Sequence, residues 1–227
     1  MIKGDEMKKY YVMLLLIVML FLSACRFNEE NEDLQTFSLV GIDVFHIDHG
    51  STSIEVESAD IESLEASLLM NNNGPGIIID EEEHKIKIGL KSDIRQIFNI
   101  GKMPHLSIRI PTNYKGKVTI DGSSGNVKIK NLNTQKLDIK GNSGNVTLDY
   151  LEINSDINVS VKSGNVLFNL EDKDSNINWL LKSHSGRRSV GIPLNNRQQS
   201  NRKTQGQTGD GSFNVHLQTT SGNITIK

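Results

Sequence analysis

The chain has 227 residues, with 25 Lys and Arg against 27 Asp and Glu for a formal net charge of −2. A single cysteine excludes an intramolecular disulfide and every paired-cysteine motif. The near-neutral balance also argues against nucleic acid, which calls for a concentrated basic face.

Lys8 and Lys9 precede an apolar run from Tyr10 to Phe21, followed by Leu22-Ser23-Ala24-Cys25. A positive start, a short apolar centre and small residues after it read as a secretory signal over residues 1–24, and the run is short for a membrane span. Asp5 and Glu6 fit such a start poorly, which makes Met7 an alternative initiator. Leu-Ser-Ala-Cys resembles the lipobox of bacterial lipoproteins. That resemblance implies cleavage before Cys25 and acylation of its sulfur, palmitate included, which would place the protein on the extracytoplasmic face of the cell membrane. Residues 25–36, with Glu29, Glu30, Glu32 and Asp33, then read as the lipidated cysteine and a flexible tether. Without residues 1–24 the chain keeps 22 basic and 25 acidic side chains, a net charge of −3.

Residues 37–227 form the expected domain. Alternating apolar residues predict strands around Ile42 and Val44, Ile54 and Val56, Ile77 to Ile79, Ile86 to Leu90 and Leu106 to Ile110, with breakers at Gly50, Gly74-Pro75-Gly76, Gly101 and Pro111. Residues 60–70 fit a helix through Ile61, Leu64 and Leu68, and fit a strand through Leu64, Ala66, Leu68 and Met70; the alternation favours strand. His46, Asp48 and His49 are the one histidine cluster. On a strand His46 and Asp48 share a face and His49 takes the other, so the segment does not make a metal site by itself.

From Lys117 onward a tripeptide returns: Ser124-Gly125-Asn126, Ser143-Gly144-Asn145, Ser163-Gly164-Asn165 and Ser221-Gly222-Asn223, with Ser185-Gly186-Arg187 as a degenerate copy. Aligned on the serine, apolar columns appear six and four residues before it (Val118 and Ile120, Leu137 and Ile139, Ile157 and Val159, Trp179 and Leu181, Val215 and Leu217). Others appear three and five after it (Val127 and Ile129, Val146 and Leu148, Val166 and Phe168, Ile224 and Ile226). Each copy is thus a strand, a corner and a second strand. Gly125, Gly144, Gly164 and Gly222 supply the left-handed corner, and Asn126, Asn145, Asn165 and Asn223 tolerate positions beside it and can form a hydrogen-bonded ladder. These are scaffold residues. A period near 20 predicts an all-β, single-stranded parallel β-helix or β-solenoid with turns of about 20 residues.

Leu106-Ser107-Ile108-Arg109-Ile110-Pro111 with Tyr114, followed by the Ser-Gly-Asn-Val/Ile units, resembles the putative-adhesin family of bacterial β-strand repeat proteins, which includes the LiaG-like proteins of envelope-stress operons. The resemblance covers residues 38–227. It implies a β-helix-like domain at the cell surface and supplies no catalytic residues.

The fourth copy breaks the pattern. Arg187 and Arg188 replace the asparagine and the apolar residue, and a polar stretch over residues 195–211 delays the fifth copy; its composition predicts a mobile loop. Arg187, Arg188, Arg197, Arg202 and Lys203 make the one basic cluster and are the candidates for an anionic ligand. Stacked in sequence order, the outward columns of residues 117–227 set no two acids side by side, as bond-cleaving carboxylates require, and no phosphate loop or nucleophile elbow occurs. The expectation is a non-catalytic, lipid-anchored surface module without cofactor or metal. Its partners would be the membrane and an anionic envelope polymer or an envelope protein; the alternative is a carbohydrate-active enzyme or lectin-like domain.

Overall fold

In the computed structural model, which describes residues 30–71, 76–91 and 104–227, the alternation becomes strands throughout. The first seven are β1 (Glu30–Phe37), β2 (Val44–Gly50), β3 (Ser53–Ala59), β4 (Leu64–Asn71), β5 (Ile77–Glu82), β6 (Lys85–Leu90) and β7 (His105–Pro111). The repeats supply pairs: β8 (Lys117–Gly122) with β9 (Val127–Lys130), β10 (Lys136–Ser143) with β11 (Val146–Tyr150), and β12 (Asp156–Ser163) with β13 (Val166–Leu170). Then come β14 (Ile177–Ser185) with β15 (Arg188–Val190), the pair β16 (Asn195–Gln199) and β17 (Lys203–Thr208), and finally β18 (Phe213–Ser221) with β19 (Ile224–Ile226).

The strand before each corner lies in one sheet and the strand after it in the other. The nine-stranded sheet runs β1-β4-β7-β3-β9-β11-β13-β19-β15, and the ten-stranded sheet runs β16-β17-β14-β18-β12-β10-β8-β2-β6-β5. Alternation makes each strand half apolar, so the inner faces meet in one continuous core that includes Phe45, Ile108, Ile120, Leu148, Phe168 and Trp179. Phe168 stacks on Tyr150 with ring centroids 5.7 Å apart and meets the edge of Trp179 at 5.2 Å.

The fold is all-β, but it is not a uniform parallel coil. Parallel pairing fills the interior (β8 with β10, β10 with β12, β12 with β18). Antiparallel strands close both ends: β4 on β7 and β5 on β6, then β17 on β14 and β16 on β17. Rung order also departs from chain order. The last pair, β18 and β19, inserts between the third and fourth repeats, while β2 and β3 lie between β6 and β7 on one side and β8 and β9 on the other.

Two segments expected to be unstructured are strands. Part of the tether, from Glu30 onward, is β1, where Asp33 accepts a hydrogen bond from the Ile77 amide at 2.7 Å. Its charges suit an edge strand, which must not recruit further chains. The stretch 195–211 is not a mobile loop: β16 and β17 cap the ten-stranded sheet, with Thr204, Gly206 and Thr208 buried. Thr208 explains the cap, since its hydroxyl accepts from the Trp179 indole at 3.2 Å and donates to the Ser175 carbonyl at 2.6 Å. Residues 64–71 are strand, as the alternation indicated.

Candidate functional site

The Ser-Gly-Asn corners stack along one edge. Gly125, Gly144, Gly164, Gly222 and Gly186 all have positive φ, 111° at Gly144. Each asparagine oxygen accepts the amide of its counterpart on the next rung: Asn145 to Asn126 at 3.0 Å, Asn165 to Asn145 at 3.0 Å, Asn223 to Asn165 at 2.9 Å and Arg187 to Asn223 at 2.8 Å. The ladder therefore joins corner side chain to backbone, and its order confirms that the fifth copy precedes the fourth in space.

The basic residues divide into two kinds. Arg188 is committed to the fold: its guanidinium donates to the carbonyls of Ser183 (3.4 Å), Ser200 (2.8 Å) and Asn201 (3.1 Å) and to the Thr204 hydroxyl (3.1 Å), pinning the β16–β17 turn over β15. Arg187, Arg197, Arg202 and Lys203 are exposed, and among the described residues none pairs with a carboxylate. The fold brings Arg202 and Lys203 to this corner through the Ser183 amide on the Arg202 carbonyl (3.1 Å) and the register Lys182 to Lys203. Lys182 therefore joins them, a neighbour that the sequence concealed because 20 residues separate it from Lys203. Arg197 stands further along the hairpin and donates to Gln199 at 3.0 Å.

On the other sheet some charges are matched across strands. On the nine-stranded sheet Glu65, Arg109, Glu57 and Lys130 occupy successive strands in register, with Arg109 at 2.6 Å from Glu65 and 3.6 Å from Glu57. Lys130 contacts Glu55 at 2.5 Å, which lowers the Glu55 carboxyl pKa below its ordinary value. Such a row sets strand order as much as it attracts ligand.

The first rung changes the count of paired acids, because Asp48 on β2 faces Asp121 on β8. His46 lies beside them, with Nδ1 2.7 Å from the Thr119 hydroxyl and 3.7 Å from Asp121. Asp121 is 44% exposed, so its carboxylate sits in water rather than in the enclosed site that acid–base chemistry exploits, and Asp48 accepts the Gly50 amide at 3.2 Å. Asp48 also lines a cleft of about 370 Å³ with Ile78, Asp80, Lys87 and Leu90, in which Lys87 stands opposite Asp80. Among the described residues no group of three His, Cys, Asp or Glu is placed to hold a metal.

His49 does point to the other face, where it is buried against Gly122 and donates from Nδ1 to the Thr52 carbonyl at 2.6 Å. Burial lowers its pKa below 6.5, against the pull of the Thr52 carbonyl and of Asp48 and Asp121; burial lowers His46 and His216 likewise. Between the lowered folded value and 6.5 the unfolded chain binds more protons. Stability is therefore full above 6.5 and declines as pH falls toward the folded value. The urea midpoint should fall from about pH 7.5 to about pH 5, and His49→Gln should reduce that fall; an unchanged pH profile would remove His49 from this role.

Stacked two-strand rungs with laddered corners and capped ends define an all-β repeat protein. The chain belongs to the Toastrack DUF4097 family, whose profile matches residues 38–152 and residues 120–227. Among solved structures it is similar to a putative cell adhesion protein from Clostridium sporogenes, with 13% identity, a TM-score of 0.65, and coverage of 88% of this chain and 99% of that one. It is also similar to a putative adhesin from Bacteroides fragilis, with 14% identity, a TM-score of 0.39, and coverage of 88% and 99%. Only the first likeness bears on the fold. No curated protein matches the chain. Cys25 lies outside the described residues, and no helix among the described residues is long and apolar enough to cross a membrane.

Proposed function

We propose that the protein is a lipid-anchored, extracytoplasmic and non-catalytic module of the cell envelope, held by acylated Cys25, that binds an anionic envelope polymer at the end of its stack. The observation that carries this reading is the set of exposed cations without carboxylate partners, Arg187, Arg197, Arg202 and Lys203, on a rigid cap. On the nine-stranded sheet, by contrast, Glu65, Arg109, Glu57, Lys130 and Glu55 are cross-matched. The clostridial neighbour's description as a cell adhesion protein accords with a surface role. Two acyl chains would anchor the protein stably, as one does not.

The test replaces those four cations with Gln, leaving Arg188 in place because it holds the hairpin turn. Binding to isolated envelope fractions should weaken by at least about tenfold and lose its salt dependence, with an unchanged melting temperature. Cys25→Ala should abolish incorporation of labelled fatty acid. Unaltered binding would defeat the polymer reading, and unaltered labelling would defeat the anchor.

A further inference from the structure

The small net charge hides a gradient. Residues 30–91 and 104–116, which supply β1 to β7, carry 14 acidic and 5 basic side chains; residues 117–176, β8 to β13, carry 8 and 7; residues 177–227, β14 to β19, carry 1 and 7. The sheet order places these segments in succession along the stack, because β18 and β19 insert next to β14 and β15 while β2 and β3 stay with β6 and β7. The body therefore runs from −9 at the end bearing β1, through −1, to +6 at the end bearing the hairpin.

We infer that the acidic end faces the anchoring membrane and that the basic end is held outward, where it docks a polyanionic polymer of the surrounding envelope rather than the phosphate headgroups of that membrane. This rests on the lipid anchor at Cys25. Because β1 begins at Glu30, four residues lie between it and Cys25, and the five Cα steps reach at most about 18 Å. Nine and ten strands at roughly 4.8 Å spacing make a stack about 40 Å long. The basic end cannot stand on the membrane while the acidic end is tethered within about 18 Å of it. Only a flat-lying body brings both ends to the lipid, and that presents the larger, negative charge to an anionic surface. At the tether's full reach the acidic end can clear the headgroups by up to about two screening lengths, since the field fades over about 8 Å.

The lipidated full-length chain, in phosphatidylcholine vesicles with and without phosphatidylglycerol, tests this with a fluorophore on Asn201→Cys at the basic end or Glu81→Cys at the acidic end. Cys25 is acylated, so each label has one thiol. A headgroup-linked nitroxide should quench the Glu81 position more than the Asn201 position in both membranes. Added poly(glycerol phosphate) should change the emission at Asn201, and replacing Arg187, Arg202 and Lys203 with Gln should abolish that change. Salt-sensitive quenching at Asn201 in phosphatidylglycerol vesicles would overturn the inference and leave the anionic-ligand reading standing. A distant, unquenched Asn201 that ignores the polymer would overturn the docking partner and the polymer reading together, while the outward orientation survived.

Discussion

A chain ending at Ser212 should lose far more than its last rung. Removing Phe213–Lys227 takes out β18 and β19, which β14 and β15 need as neighbours on one side and β12 and β13 on the other. Val215, Leu217, Ile224 and Ile226 are all buried, and at about 1.5–3 kcal/mol each their loss amounts to roughly 6–12 kcal/mol, the order of a whole domain's net stability. Trp179, the only tryptophan, reports the outcome. It is fully buried, with Leu181, on the strand that β18 supports. Its emission should shift to the red in the truncated chain, and the urea midpoint should collapse. Rungs stacked in chain order would instead lose only a terminal layer and keep Trp179 buried on β12, so an unshifted emission would refute the inserted order.

Gly144→Val should cost more than about 4 kcal/mol, in the range reserved for severe backbone or core damage. Positive φ alone would cost a non-glycine residue roughly 1–2 kcal/mol. Here a Cβ would also overlap the carbonyl oxygen of Gly125 on the next rung, and backbone cannot swing aside as a side chain does. Lys128→Ser on the outward face should change stability by no more than about 0.5 kcal/mol, since its nearest charge, Glu55, is 3.9 Å away and solvated. Chemical denaturation of the two variants decides the matter, and equal midpoints would mean that the corners are not stacked.

The corners and faces were legible because they depend on local chemistry. Glycine at a left-handed bend and alternation with a period of two act within a few residues, so Gly144, Asn145 and the column of Ile120, Ile139 and Val159 are recognisable from sequence. The inward turn of His49 follows from the same rule. The exposed cations were recognisable as a cluster, but separating Arg188 from Arg187 was not: both are arginines at one corner, and only the carbonyls of Ser200 and Asn201, presented by a hairpin turn, convert Arg188 into a brace.

Rung order lay beyond any local reading, since every rung offers the next a similar apolar surface. Ile157 and Val159 offer an apolar face to Trp179 and Leu181 as they do to Val215 and Leu217. What selects Val215 and Leu217 is long-range: the hairpin β16–β17 occupies the outer side of β14, with Thr208 held by Trp179 and Ser175, which leaves the inner side for the returning chain. The acidic segment Glu30–Phe37 becomes a strand for a similar reason. Its own composition cannot bury a core, but β4 presents an unpaired edge, and backbone hydrogen bonds to that edge ask little of the side chains. Composition fixes the number of charges, and tertiary contacts alone decide that fourteen acids gather at one end of the stack and seven bases at the other.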